Sequence, residues 1–137
     1  MNHDGAMHRV IRGDGLAPPA ARYAHAVVST GPGRLVHTSG IVPITPDGTV
    51  PSDLTDQADV VWSSILALLA EADMAPPDIV AVTTYVRVDH LQRLGDVMAA
   101  RDRYLDGHLA ASTLVTVPSL ARPEWLIEIA VVAATAT

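Results

Sequence analysis

From Leu54 onward the apolar side chains Leu54, Ala58, Val61, Ile65, Leu68 and Leu69 recur three or four residues apart, the spacing that lines one face of a helix. Ser52 or Asp53 offers an oxygen to cap its start, and Ala75-Pro76-Pro77 stops it after about Met74. A second helical run goes from Leu91 to about Leu105, with Leu91, Leu94, Val97 or Met98 and Arg101 making it amphipathic, and Asp106-Gly107 ends it. The remaining patterned stretches read as strands. His8 to Arg12 is a short edge strand, and Tyr23 to Val28 and Leu35 to Ser39 flank Gly31-Pro32-Gly33 as a hairpin. Ile79 to Val88 is a β-branched run. Ser112 to Ala133 reads as two strands that pair around a turn, since Pro118 lacks the N–H of a central strand and Arg122-Pro123 restarts the chain. This order predicts an α+β fold, one mixed β-sheet with two helices packed on one face, in which strand–helix–strand passages cross over right-handedly. Residues 1–7 read as a flexible N-terminal tail and 8–137 as a single domain.

Alternation along the strands sorts side chains by face. Ala24, Ala26, Val28, Val36, Thr38, Val115, Val117, Ile127, Ile129 and Val131 form the face expected to take the helices. Tyr23, His25, His37, Ser39, Ser112, Leu114, Thr116 and Glu128 form the other. Leu126, Leu114 and Val132 still need cover there, so a second copy of the chain is the expected partner, with pockets between subunits. Glu128 stands out within Leu126-Ile127-Glu128-Ile129-Ala130-Val131-Val132. A buried, unpaired carboxylate is too costly to keep, so it is protonated, paired or open to a cleft.

Composition narrows the chemistry. The chain has 137 residues, 49% of them hydrophobic and 18% charged, enough for one domain with a real core, and it contains no Phe. A formal net charge of −6 with no basic run argues against nucleic acid or an anionic membrane as a partner. Zero cysteines exclude disulfides, thiolate metal sites and a Cys nucleophile. No signal peptide or membrane-spanning run is evident, so a cytoplasmic location is expected. His25, His37 and Glu128 match no metal-ligand spacing, so no metal is expected.

Several stretches together carry a resemblance: Tyr23-Ala-His-Ala-Val, His37-Thr-Ser-Gly-Ile-Val-Pro, Gln57-Ala, Asp78-Ile-Val-Ala-Val-Thr-Thr-Tyr-Val, and Ile127-Glu-Ile with its alanine-rich tail. In order and spacing, from about Val10 onward, the chain resembles the RidA (YjgF/YER057c/UK114) family. The resemblance implies a chorismate-mutase-like fold, a homotrimer, and active clefts between subunits. It also implies hydrolysis of reactive enamines and imines without metal or cofactor, giving ammonia and a 2-keto acid. Tyr23, Ser39, Gly40 and Glu128 fall on family positions, Glu128 on the acid that positions or activates water. The family's Pro-Ala-Arg-Ser reads Ala110-Ala111-Ser112-Thr113, which puts Ser112 where the arginine that clamps a substrate carboxylate is expected. A neutral hydroxyl does not replace a bidentate guanidinium. Met98 stands for a common asparagine, and Ile41 for the glutamine of Ser-Gly-Gln.

The expected catalytic set is therefore Glu128, Tyr23, Ser39 and His37, with Gly40, Ser112, Leu114, Met98, His25 and Ile41 binding substrate. The substrate is a small imine, enamine or related activated carbonyl, hydrolysed or tautomerised, and not of the standard 2-aminoacrylate type; a specialised biosynthetic role would suit it. Each residue also has a structural reading. Glu128 can pair across the trimer, Tyr23 pack an interface, Ser39 cap a strand end, and the histidines sit half-exposed on strands. Ser112 has no base beside it and reads as a contact, not a nucleophile. Arg87, Arg101 and Arg122 are the arginines able to restore a clamp. The alternative to an enzyme is a protein that binds a small metabolite without turnover. Ribonuclease activity, also attached to the family, fits the acidic charge least.

Overall fold

The computed structural model describes residues 8–11, 15, 18–31 and 33–136 of the chain. The expected tail at residues 1–7 lies outside them. The elements run β1 (His8–Ile11), β2 (Ala26–Ser29), β3 (Arg34–His37), α1 (Leu54–Glu71), β4 (Ile79–Arg87), α2 (Leu94–Leu105), β5 (Ala111–Val117) and β6 (Ile127–Thr135). Among the described residues no helix is long and apolar enough to cross a membrane.

Both helices form on the expected stretches but shorter than expected: α1 ends at Glu71, capped at Ala72 before Met74, and Leu68 of its expected buried stripe is exposed. Asp53 caps α1 by accepting from the Thr55 N–H at 2.9 Å and the Asp56 N–H at 3.4 Å. Asp106, at φ 50°, ends α2 in the left-handed region. The second helix begins at Leu94 because Val88–Arg93 forms a 3-10 segment broken at His90. From α1 the buried stripe is Leu54, Ala58, Val61, Trp62, Ile65 and Leu69; from α2 it is Val97, Ala100 and Leu105. Both meet Val82 and Val86 of β4 and Ile127, Ile129, Val131 and Ala133 of β6, giving one core on one face of a mixed sheet.

Strand pairing differs from expectation in two places. The sheet order is β3-β6-β4-β5, with β4–β5 parallel and the other pairs antiparallel. β5 and β6 are thus not a hairpin, because β4 lies between them. A β4–α2–β5 crossover sets β5 on one flank of β4, and residues 118–126 carry the chain to the other flank. That passage is fastened from α1. Fully buried Gln57 donates through Nε2 to the Pro51 carbonyl at 2.7 Å and the Glu124 carbonyl at 2.9 Å, and its Oε1 accepts from the Leu126 N–H at 2.8 Å. The β2–β3 hairpin is likewise not formed. β2 pairs with β1 in a separate two-stranded ribbon, while β3 completes the main sheet on β6. His8 joins the two, Nδ1 to the Ser29 hydroxyl at 2.8 Å and Nε2 donating to the Ala134 carbonyl at 2.8 Å.

The pairings also correct the faces. Glu128, Ala130 and Val132 of β6 lie away from the helices, as expected, and His37, opposite Val132, joins them. On β5 the expected faces are exchanged. Parallel register sets Thr113 beside Thr83 and Val115 beside Tyr85 on Glu128's face, and it sets Ser112 and Leu114 beside buried Val82 and Thr84 on the helix side. A one-residue slip moves every side chain of a strand to the other face.

Candidate functional site

Glu128 is the second residue of β6 and directly faces Tyr85 across the β4–β6 pair. Both side chains are half-buried on the face away from the helices. On the β3 side of Glu128, the backbone after β3 returns to β6 through Ile41, which exchanges hydrogen bonds with Ile129 at 2.7 and 3.1 Å. Thr38 prepares this return: its N–H donates to the Val131 carbonyl at 3.0 Å and its hydroxyl accepts from the Val131 N–H at 3.0 Å. Gly40, next to Ile41, therefore lies against the carboxylate. A Cβ on Gly40 would stand 1.9 Å from Glu128 Oε2 and 2.7 Å from its Cδ, so only glycine leaves room for the side chain where it is. No described residue hydrogen-bonds to that carboxylate.

The other expected residues are distributed around this centre, not gathered at it. Ile41 turns to the core, while Ser39 is exposed beside Gly40. His37 shares Glu128's face, but its partner Val132 is four residues along β6, about 13 Å at the rise of a strand. Within one chain it is therefore not Glu128's proton partner. Ser112 accepts from Arg101 Nη1 at 3.4 Å on the helix side, and Leu114 packs against the core. Met98 belongs to α2, on the layer opposite Glu128. Tyr23 and His25 flank Ala24, which bridges Ala111 beyond β5, at the far border of the sheet. Their rings meet edge-on at 6.0 Å, and Tyr23 Oη accepts from the Ala20 N–H at 3.3 Å. Three strand spacings, about 14 Å, separate that border from β6.

The three arginines named as possible clamps all have other partners. Arg87 pairs bidentately with Asp89, Nε to Oδ1 at 2.8 Å and Nη2 to Oδ2 at 2.9 Å, and also donates to the Pro123 carbonyl. Those hydrogen bonds hold the Asp89 carboxyl well below the usual carboxylate range. Buried Arg101 lies against Asp102 at 3.0 Å, and Arg122 sits 5.5 Å over the Trp125 ring. A hollow of about 320 Å³ lies elsewhere, on the outer side of α1, lined by residues including Thr45, Asp59, Ser63 and Ser64. Its one carboxylate, Asp59, is already taken by Arg103 at 2.6 Å and by the Tyr104 hydroxyl at 3.2 Å.

Tyr85 was not among the residues singled out from the sequence. Alternation in Val82-Thr-Thr-Tyr-Val86 puts it opposite the core valines, but its nearness to Glu128 depends on β4 pairing with β6.

A family profile described as endoribonuclease L-PSP matches residues 15–135. The chain belongs to that family, the RidA or Rid group. Its RidA-family fold is matched by the crystal structure of YyfB from Yersinia pestis, a protein of unknown function of the conserved Rid family. The two are 30% identical, with 94% of this chain and 99% of that one covered at a TM-score of 0.86. TdcF of Escherichia coli, crystallised with bound serine, is 25% identical with 93% and 98% covered at a TM-score of 0.68. In sequence, TdcF, a protein named for reactive intermediate deamination, is 28% identical over 79 residues. That match spans 57% of this chain and 60% of TdcF.

Proposed function

We propose that this Rid-family chain is a small-molecule hydrolase in which Glu128 directs water onto the carbon of an imine, present as such or formed when an enamine takes a proton at its β-carbon. What carries the reading is the Glu128 carboxylate itself, half-buried on an apolar strand, cleared by Gly40 and left without a hydrogen-bond partner among the described residues. As the water oxygen bonds the electrophilic carbon, Glu128 takes its proton. It then passes that proton to nitrogen, giving a neutral carbinolamine; the carbinol O–H proton is relayed by Glu128 to the same nitrogen as the C–N bond breaks, leaving a carbonyl and ammonia or an amine. The names of relatives such as TdcF support the reaction class.

The cleft is completed by a second copy of the chain, in a homotrimer. Glu128 with Gly40 and Ser39 lies toward the β3 border of the sheet and Tyr23 with His25 beyond β5 at the opposite border, so the expected set is brought together by a second copy. Leu35 and Val115, 54% and 41% exposed on this face, supply apolar area for that contact. The substrate is not of the 2-aminoacrylate type: on β5 the side chains facing Glu128's side are Thr113 and Val115, and neither carries charge. The same observation favours a second reading, a metabolite-binding protein without turnover. Ribonuclease activity is disfavoured by the net charge of −6.

Ammonia release from a panel of imines with and without a carboxylate tests the proposal. Turnover of carboxylate-free imines that is lost in Glu128→Gln supports it. Equal turnover in Glu128→Gln removes Glu128 from the chemistry, and ligand-induced thermal stabilisation without product moves the protein to the binding class.

A further inference from the structure

The Glu128–Tyr85 pair has a chemical character of its own. Directly opposed residues on antiparallel strands hold their Cβ atoms about 5 Å apart, so the two side chains leave the sheet as neighbours, with the carboxylate leaning toward Gly40 on the β3 side and the phenol on the β4 side. Around them on the same face are Thr83, Ala130, Thr113 and Val115, all uncharged. Arg87, two residues beyond Tyr85, is the nearest cation by register, and Asp89 already neutralises it through two hydrogen bonds. Arg93 and Arg103 pair with Asp53, Asp96 and Asp59, Arg101 lies on the helix side with Asp102, and the chain contains no lysine. A carboxylate without a cationic partner beside it, with an electron-rich ring as neighbour among uncharged side chains, suits a compact organic cation, attracted by charge on one flank and by the ring quadrupole on the other.

We infer that Glu128 and Tyr85 select a cationic substrate: the protonated form of an imine, an iminium, whose carbon skeleton bears no carboxylate. This deepens the hydrolase reading and rests on it for the word substrate. Protonation makes the imine carbon the better electrophile, so the species these two side chains hold is also the one that water attacks.

A non-reacting probe separates the two ideas. The protein is titrated by calorimetry with N,N-dimethylpyrrolidinium chloride, a permanent cation, and in parallel with sodium pyruvate, an anion. The cation is expected to bind and pyruvate not. Glu128→Gln should weaken the cation at least about 10-fold, and Tyr85→Leu about 5-fold, whereas Tyr85→Phe, which keeps the ring face, should stay near the unmodified protein. Circular dichroism melting of each variant establishes that it is folded. Pyruvate binding more tightly than the cation would overturn the inference and point to Arg87 leaving Asp89 for a carboxylate. Cation affinity unchanged in Glu128→Gln would overturn it as well. Cation binding without hydrolysis of any imine leaves the selectivity standing and removes the hydrolase reading. Hydrolysis of carboxylate-free imines with no cation preference does the reverse.

Discussion

Gly40→Ala tests the placement of Glu128 without any knowledge of the substrate. An added Cβ would meet Glu128 Oε2 at 1.9 Å, Cδ at 2.7 Å and Cγ at 3.0 Å, where ordinary contact begins at 3.4 Å. Relief therefore requires the carboxylate to move by roughly 1.5 Å, through an off-rotamer side chain or a shift of the 38–41 backbone. Off-rotamer χ angles cost about 0.5–1.5 kcal/mol and overpacking about 1–3 kcal/mol, so about 2 kcal/mol of destabilisation is expected. Gly40 has no left-handed φ to complicate the substitution. Shortening Glu128 to alanine removes all three contacting atoms. In that background Gly40→Ala should be neutral, or stabilising by a few tenths of a kcal/mol through the reduced freedom of the unfolded chain. The assay is a double-mutant cycle by urea unfolding on the single variants and the pair, with a coupling of about 2 kcal/mol expected. Equal costs of Gly40→Ala in both backgrounds would refute the contact, and with it the account of how Ser39-Gly40 shapes the site.

Gln57→Leu leaves the buried Leu126 N–H without an acceptor and two carbonyls without a donor; a loss of about 3 kcal/mol in denaturant unfolding is expected, and less than about 1 kcal/mol would mean water takes over. Asp89 has its carboxyl held low chiefly by hydrogen bonds from Arg87, so its contribution is present above the unfolded carboxylate value and is lost as pH falls below about 4. The difference in Tm between the unmodified protein and Asp89→Asn should therefore shrink on acidification, and a difference that grows would contradict the pairing. Val115→Arg, on the open face, should shift sedimentation from the proposed trimer toward monomer while leaving the helix signal in circular dichroism intact; an unchanged trimer would place Val115 outside the contact.

Much of this architecture was legible because it rests on local patterns. The α1 stripe and its Asp53 cap, the Asp106-Gly107 stop, and the in-out alternation of β6 each follow from a single element's own residues. What was not legible depends on pairing between distant elements. Alternation in Ser112-Thr-Leu-Val-Thr-Val117 gives two sets of similar polarity, one with Leu114 and one with Val115, so nothing within β5 says which faces the helices; the register with β4 does. The two hairpins failed for a related reason. Chain neighbours pair only when no better partner exists; here β6 pairs with β3 and β4, and the Gln57 amide holds the approach to it at Glu124 and Leu126. Tyr85 was overlooked because it becomes Glu128's neighbour only in that arrangement.

The same arrangement explains why the site is legible in parts but not as a whole. Evolution of a pocket inside one chain would place its polar groups on neighbouring strands, as Tyr85 and Glu128 are placed. Tyr23 is instead about 14 Å away across β4 and β5, a distance no side chain closes. Its chemistry, if it belongs to the same reaction, has to reach Glu128 from another copy. Tyr23→Phe and Glu128→Gln chains, each inactive alone, should then regain turnover when unfolded together and refolded as mixed oligomers, because some interfaces combine an intact Tyr23 with an intact Glu128. A Tyr23→Phe chain as active alone as the unmodified protein would confine the reaction to the Glu128–Tyr85 side of a single chain.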